Sequence, residues 1–165
     1  MKLGILSDTH GHLDRTRHAL DILRNQKIDQ LIHCGDVGSD LIHDQLFEQQ
    51  EAGVPVTVVP GNVDEWEPGI PLYARKLGFP FHLTARLTLS STRISVYHGH
   101  DPKLRDSLIA DPETDIFLTG HTHVARDEQI GHVRVINPGA VYRAATPSVA
   151  VLDLGAGEKL DYFEL

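Results

Sequence analysis

The chain has 165 residues, of which 41% are hydrophobic and 23% charged, with a formal net charge of −8. That suits one folded domain over residues 1–165 and excludes a disordered chain; no stretch reaches the roughly 20 apolar residues of a membrane helix, and the acidic balance argues against non-specific nucleic-acid binding. Cys34 is the single cysteine and the apolar run before Ser7-Asp8 is too short for a signal-peptide core, so a reducing cytoplasm is the expected compartment.

Six short apolar runs share one design. Lys2–Leu6 runs into Ser7-Asp8-Thr9-His10, and Gln30–Ile32 into His33-Cys34-Gly35-Asp36. Val54–Val59 runs into Pro60-Gly61-Asn62-Val63-Asp64, and Ile94–Tyr97 into His98-Gly99-His100. Ile116–Thr119 runs into Gly120-His121-Thr122-His123, and Val133–Ile136 into Asn137-Pro138-Gly139. Short β-branched runs stopped by Gly, Pro, Asn or Asp read as strands buried on both faces. Helical spacing of apolar residues marks Leu13–Gln26, Asp40–Ala52 (through Leu41, Ile42 and Leu46) and the shorter Lys103–Ala110. The first half is therefore βαβαβ with a parallel sheet. Phe81–Leu89 and Arg93–Tyr97 flank Ser90-Ser91-Thr92 as a hairpin. Ser148–Leu154 and Lys159–Phe163 pair around Gly155-Ala156-Gly157, which points to a second, more antiparallel sheet. Glu65–Gly78, rich in Pro and Gly around Trp66, reads as a loop, a lid or a poor helix.

Ligands of parallel open sheets bind at the carboxyl ends of the strands. Here those ends carry Asp8, His10, Asp36, Asn62, His98, His121 and His123. Two carboxylates, four imidazoles and an amide suit Mn, Fe, Co, Ni or Zn. Seven ligands are too many for one open site, whereas two metals need about that number with one ligand shared. Asp36 is the candidate bridge, because Gly35 before it lets the backbone crowd close. Two ions about 3.5–4 Å apart clamp an ester phosphate and acidify a bridging water. Two divalent ions bring +4, the two aspartates −2, and a bridging hydroxide leaves about +1 to attract an anionic substrate.

The ordered series Asp-x-His, Gly-Asp, Gly-Asn, His and Gly-His-x-His resembles that of the calcineurin-like metallophosphoesterase superfamily. Ser7-Asp8-Thr9-His10-Gly11, Leu31–Asp36 and Asn137-Pro138-Gly139 resemble its small prokaryotic YfcE/MJ0936-type phosphodiesterase branch, from Leu3 to about Leu154. The resemblance implies an α/β fold, a four-layer α/β/β/α sandwich of two mixed sheets flanked by helices. It implies a metal-dependent phosphodiesterase with a dinuclear centre and a metal-bridging hydroxide. Asp8, His10, Asp36 and His123 would hold one ion; Asp36, Asn62, His98 and His121 would hold the other. Mn is the first expectation for both ions, with Ni, Fe, Co or Zn as alternatives. A phosphodiester small molecule is the expected substrate, and a homodimer or larger homo-oligomer the expected assembly.

One departure matters. The wider superfamily places His after Gly-Asn, where it protonates the leaving oxygen or stabilises charge; here that position is Val63. General acid catalysis is worth roughly 10²–10⁴-fold, so good leaving groups should be favoured, with His100 or His12 as substitute acids. His12 and His33 are also candidates to orient ligands from behind. Arg143 is read as a phosphate contact or an ion pair, and Cys34 as a small buried apolar residue. Trp66 is expected in the core or an oligomer contact, with stacking on an aromatic leaving group as the alternative. Two other functions share this fold. One is a non-catalytic scaffold like the retromer subunit, which has lost part of the ligand set; the other is a phosphomonoesterase or protein phosphatase.

Overall fold

A computed structural model describes residues 1–67, 69–155 and 157–165. Pro68 of the Pro-rich stretch and Ala156 of the expected last turn lie outside the described residues. In chain order the elements are β1 (Lys2–Leu6), α1 (Leu13–Asn25), β2 (Gln30–His33), α2 (Asp40–Glu51), β3 (Val56–Val58), α3 (Asn62–Trp66), α4 (Gly69–Lys76), β4 (Thr84–Leu89), β5 (Thr92–Tyr97), α5 (Pro102–Ala110), β6 (Ile116–Leu118), β7 (Arg126–Ile130), β8 (Val133–Asn137), β9 (Ser148–Asp153) and β10 (Lys159–Glu164).

The strands form two five-stranded mixed sheets, ordered β10-β9-β1-β2-β3 and β4-β5-β6-β8-β7. Each has a three-stranded parallel core: β1, β2 and β3 in the first, β5, β6 and β8 in the second. Antiparallel strands complete both. The second sheet is therefore no more antiparallel than the first, which corrects the expectation. β9 and β10 return to the first sheet beside β1. The reason is burial, since β9 is covered on both faces from Ser148 to Leu152 and needs a layer on each side.

Side-chain alternation builds the layers. Leu3, Ile5, Ile32, Ala150 and Leu152 face Ile94, Val96, Ile116, Leu118 and Ile136 across the gap between the sheets. The opposite face of the first sheet, with Leu6, Leu31, Val149 and Val151, packs on Ala19, Leu20 and Leu23 of α1, Ile42 and Leu46 of α2, and Ala74 of α4. On the outer face of the second sheet, Tyr97, Phe117, Val133 and Val135 meet Leu104, Leu108 and Ile109 of α5. The result is the four-layer α/β/β/α sandwich.

Local chemistry explains most boundaries. His12 caps α1, its Nδ1 accepting from Arg15 N. Asp101 caps α5 ahead of Pro102 at its start. Ser90 and Ser91, with φ of 49° and 68°, make the two-residue β4–β5 turn in the doubly left-handed form that matches strand twist. Leu41 lies one residue off the Ile42–Leu46 stripe of α2 and is 55% exposed. Trp66 ends α3 at 84% exposure, so it is not a core residue. Glu65–Gly78 is largely helical, holding the end of α3 and all of α4. β7 was not expected. Its sequence Arg-Asp-Glu-Gln-Ile is polar and mostly exposed because it is an edge strand pairing only with β8, and its charges discourage pairing with another chain.

Ile32 is fully buried between the sheets. Ile32→Ala is expected to cost about 2–5 kcal/mol of unfolding free energy, measured by urea denaturation. A loss under about 1 kcal/mol would show that the inter-sheet layer is not close-packed.

Candidate metal centre

The parallel cores of both sheets end at one crevice, where Asp8, His10, Asp36, His98, His121 and His123 meet beside the turn that carries Asn62. Loops 7–11 and 34–37 leave β1 and β2 side by side and continue their pairing. Asp8 N donates to Gly35 O, His10 N to Asp36 O and Gly11 N to Val37 O, each at 2.9 Å. The loops turn their side chains inward through backbone that L-residues seldom adopt: φ is 55° at Asp8, 45° at His10, 55° at Asp36, 68° at His121 and 59° at His123. Left-handed non-glycine residues carry a conformational cost and cluster at functional sites.

Two glycines allow the close approach. A Cβ on Gly35, whose φ is +98°, would stand 2.7 Å from His98 Nδ1. A Cβ on Gly120 would stand 2.0 Å from Ser7 Oγ and 2.8 Å from Asp8 Oδ2. Gly35 thus seats the first sheet's loop against His98 of the second, and Gly120 seats the second sheet's loop against Asp8 of the first.

Asp8 Oδ1 lies 3.2 Å from His123 Nε2 and 3.9 Å from both His10 Nε2 and His98 Nε2. Asp36 Oδ2 lies 3.4 Å from His98 Nε2 and 3.8 Å from His10 Nε2. Two ligand groups result, Asp8 with His10 and His123, and Asp8 with Asp36 and His98. Asp8 belongs to both, and Asp36 Oδ2 also lies between His10 and His98. The other oxygens are engaged: Asp8 Oδ2 accepts from His121 N and Asp36 Oδ1 from Val63 N. The His121 ring stands 5.1 Å from that of His98. Asn62 opens α3, and its Oδ1 is buried without a hydrogen-bond partner.

Backbone carbonyls orient the imidazoles. His98 Nδ1 donates to Cys34 O at 2.8 Å, and His123 Nδ1 donates to Arg143 O at 3.0 Å. Each bond leaves the Nε2 lone pair aimed into the crevice. His123 Nε2 meets His10 Nε2 at 3.2 Å, an arrangement that a shared cation satisfies. His98 Nε2 and Asp8 Oδ1 are buried with no hydrogen-bond partner. Burial pushes the Asp8 carboxyl above its ordinary range despite the pull of His98. Burial also lowers His10 and His121. For His98, burial opposes protonation, but the Asp36 carboxylate 3.4 Å from Nε2 and the charge of Asp8 outweigh it, so its pKa rises and that of Asp36 falls. A buried carboxylate short of positive charge, ringed by nitrogen lone pairs, fits divalent metal ions.

The outer residues are less uniform. His33 Nδ1 accepts from Gly35 N, so its Nε2 donates to Thr9 Oγ1, which donates on to Val37 O. Burial lowers His33 to about 3, which keeps it neutral. It braces Thr9 between Asp8 and His10. His12 instead caps α1 and packs on Tyr142, with ring centroids 4.5 Å apart; its hydrogen bond goes to the helix and not to a ligand. Cys34 is buried, and burial with Asp8 nearby raises its thiol pKa far from reactivity. Arg143 lies over Tyr142 and has no ion-pair partner among the described residues. His100 Nε2 stands 3.2 Å from Glu65 Oε1, and its ring lies 5.6 Å from that of His98.

Sequence reasoning missed two supports. Asp64 accepts from Val37 N, Gly38 N and Gly61 N at 3.0, 2.8 and 2.8 Å, and so locks the Asp36 loop to the Asn62 loop. Asn137 Nδ2 donates to Gly120 O and Thr122 Oγ1, which holds the loop carrying His121 and His123. Asp64 sat in view in the Gly-Asn-Val-Asp motif, but three amide donors converging on one carboxylate leave no sequence pattern. Asp64→Asn replaces an acceptor with an amide N–H against one of those donors. It is expected to lower Mn affinity about 10–100-fold, read by calorimetry with folding checked by circular dichroism. Affinity within twofold of wild type would remove Asp64 from the support of the centre.

Comparison with known proteins gives one answer. The family model for the calcineurin-like phosphoesterase superfamily domain matches residues 1–157. Phosphodiesterase MJ0936 of Methanocaldococcus jannaschii is 30% identical over 169 residues, covering 100% of this chain and 98% of its own. Phosphodiesterase YfcE of Escherichia coli is 30% identical over 156 residues, covering 86% of this chain and 79% of its own. The solved structure of an archaeal phosphodiesterase superposes with a TM-score of 0.82 at 25% identity, covering 100% of both chains. The chain belongs to the calcineurin-like phosphoesterase superfamily and is a hydrolase of the phosphoesterase type.

Proposed function

We propose that residues 1–165 act as a single-domain, metal-dependent phosphodiesterase in a reducing cytoplasm. The observation that carries this reading is the set of buried, unpartnered ligand atoms, Asp8 Oδ1, Asn62 Oδ1 and His98 Nε2, at the meeting of the two sheets. Two divalent transition-metal ions fit it, Mn first, with Ni, Fe, Co or Zn as alternatives. Asp8, His10, Asp36 and His123 would hold one, and Asp36, Asn62, His98 and His121 the other. Bound there, such ions polarise a phosphoryl oxygen and acidify a water for in-line attack on phosphorus.

The chain's own residues do the positioning. Asp36 Oδ1 is fixed by Val63 N, which leaves Oδ2 for the centre. His98 and His123 are held in one tautomer by Cys34 O and Arg143 O. The Arg143 guanidinium, without an ion-pair partner among the described residues, would supply a cation for a phosphate oxygen. Both the archaeal and the E. coli relatives are named phosphodiesterases, which supports a diester over a monoester. A complete ligand set argues against a purely non-catalytic scaffold. A homodimer or larger assembly accompanies this reading, with exposed Trp66 and Leu72 offering apolar surface for it.

Val63 has no proton to give, and its N–H is already committed to Asp36. His100, paired with Glu65, is the remaining candidate acid.

The Mn-loaded protein is expected to hydrolyse bis(p-nitrophenyl) phosphate faster than p-nitrophenyl phosphate, and to lose turnover with EDTA. His98→Ala should lower kcat/KM by more than about 100-fold, beyond the range of an outer-shell loss. Turnover indifferent to chelation would refute the metal requirement. Across aryl diesters, log kcat should depend steeply on leaving-group pKa in both wild type and His100→Ala. A flat dependence that becomes steep in His100→Ala would instead assign the proton to His100.

A further inference from the structure

A groove on the outer face of the second sheet opens beside His121. It encloses about 620 Å³, the size of a small-molecule site. Phe117 of β6 and Val135 of β8 form its floor; Ile109 and Ala110 of α5 wall one side, and Ile130 of β7 walls the other. One end is lined by Gly99, Gly120 and His121, from the loops that carry the candidate ligands. The other end is the β7–β8 turn at Gly131. The five-residue strand β8, Val133–Asn137, runs from the turn at Gly131 to Asn137 at the near end, so the groove extends roughly 13 Å along it away from the centre.

Most of its polar side chains already hold a partner. Arg105 bonds Asp106, and Arg126 bonds Glu128. Thr119 Oγ1 donates to His98 O. Asn137 spends its amide on Gly120 O, Thr122 Oγ1 and Gly139 N. The ring of His132 is bonded through Nε2 to Asp111 O. Each arginine lining the groove already faces a carboxylate, so a second anionic group would have to compete for it. What remains available is apolar surface of elongated shape.

We propose that this groove binds an uncharged apolar arm, aryl or alkyl, of the diester whose phosphate sits at the metal centre. The proposal rests on the phosphodiesterase reading and specifies its substrate class.

The test measures dissociation constants of two monoanionic phosphonate esters, methyl methylphosphonate and phenyl methylphosphonate, on the Mn-loaded protein, with phosphorus NMR confirming that each ester stays intact during the measurement. Wild type is expected to bind the phenyl ester about tenfold or more tightly than the methyl ester. Ala110→Trp, which fills the groove, and Ile130→Glu, which charges its wall, should bring that ratio within twofold and leave methyl-ester binding unchanged. A ratio that survives both variants overturns the proposal, as does equal loss of both esters. It is also overturned if wild type shows no preference and sedimentation reveals a dimer that Ala110→Trp dissociates, because a second copy would then fill the groove. Turnover of bis(p-nitrophenyl) phosphate is scored separately: its absence with the binding pattern intact rejects the diesterase reading and upholds the groove as an apolar-arm site.

Discussion

Asp8 Oδ1 and His98 Nε2 stand buried, 3.9 Å apart, and neither has a hydrogen-bond partner. Leaving such atoms unpaired costs on the order of 1–3 kcal/mol each, more when charged. The rest of the crevice deepens that debt. Asp36 and Asn62 add further oxygen donors, and His10 and His123 face each other through Nε2. Without positive charge such an arrangement is costly, and divalent cations would offset that cost. Much of the surrounding architecture serves to keep the ligands in place.

The support comes from the backbone more than from side chains. Parallel pairing between β1 and β2 continues through their loops and carries Asp8, His10 and Asp36 to one edge. Left-handed φ values at five ligand residues turn those side chains inward. Carbonyls of Cys34 and Arg143 select the imidazole tautomers. Asp64 and Asn137 fasten loops that would otherwise move independently. Conformational strain at the ligands is tolerated because two packed sheets and their helices overdetermine the loops.

Much of this was legible in residue order. Strands covered on both faces announce themselves as uninterrupted β-branched runs, and the polar residues that end them are the candidate ligands. The same logic hid β7, an edge strand with almost no buried face, and α3, whose first residue Asn62 looks like the end of a turn. It also mispredicted the sheet to which β9 and β10 belong, since pairing partners far apart in sequence are set by burial and not by adjacency. Backbone acceptors and multi-donor carboxylates such as Asp64 need coordinates, because any residue supplies a carbonyl or an amide. Of the two places expected for Trp66, its 84% exposure excludes the core, because size alone does not tell a buried aromatic from an exposed one.

The chain carries 11 histidines, and the structure divides several of them by task. His10, His98, His121 and His123 surround the carboxylates, His33 braces Thr9, and His12 caps a helix. With ions held at the two aspartates, the local charge would be set there and not by lysines on the surface, and an acidic protein would attract a phosphate ester. The most direct test is anomalous diffraction at the Mn edge from crystals soaked in Mn. The account predicts two peaks about 3.5–4 Å apart, one against Asp8, His10 and His123 and the other against Asn62, His98 and His121, with Asp36 touching both. A crevice without a peak, or peaks only at the acidic surface, would contradict it.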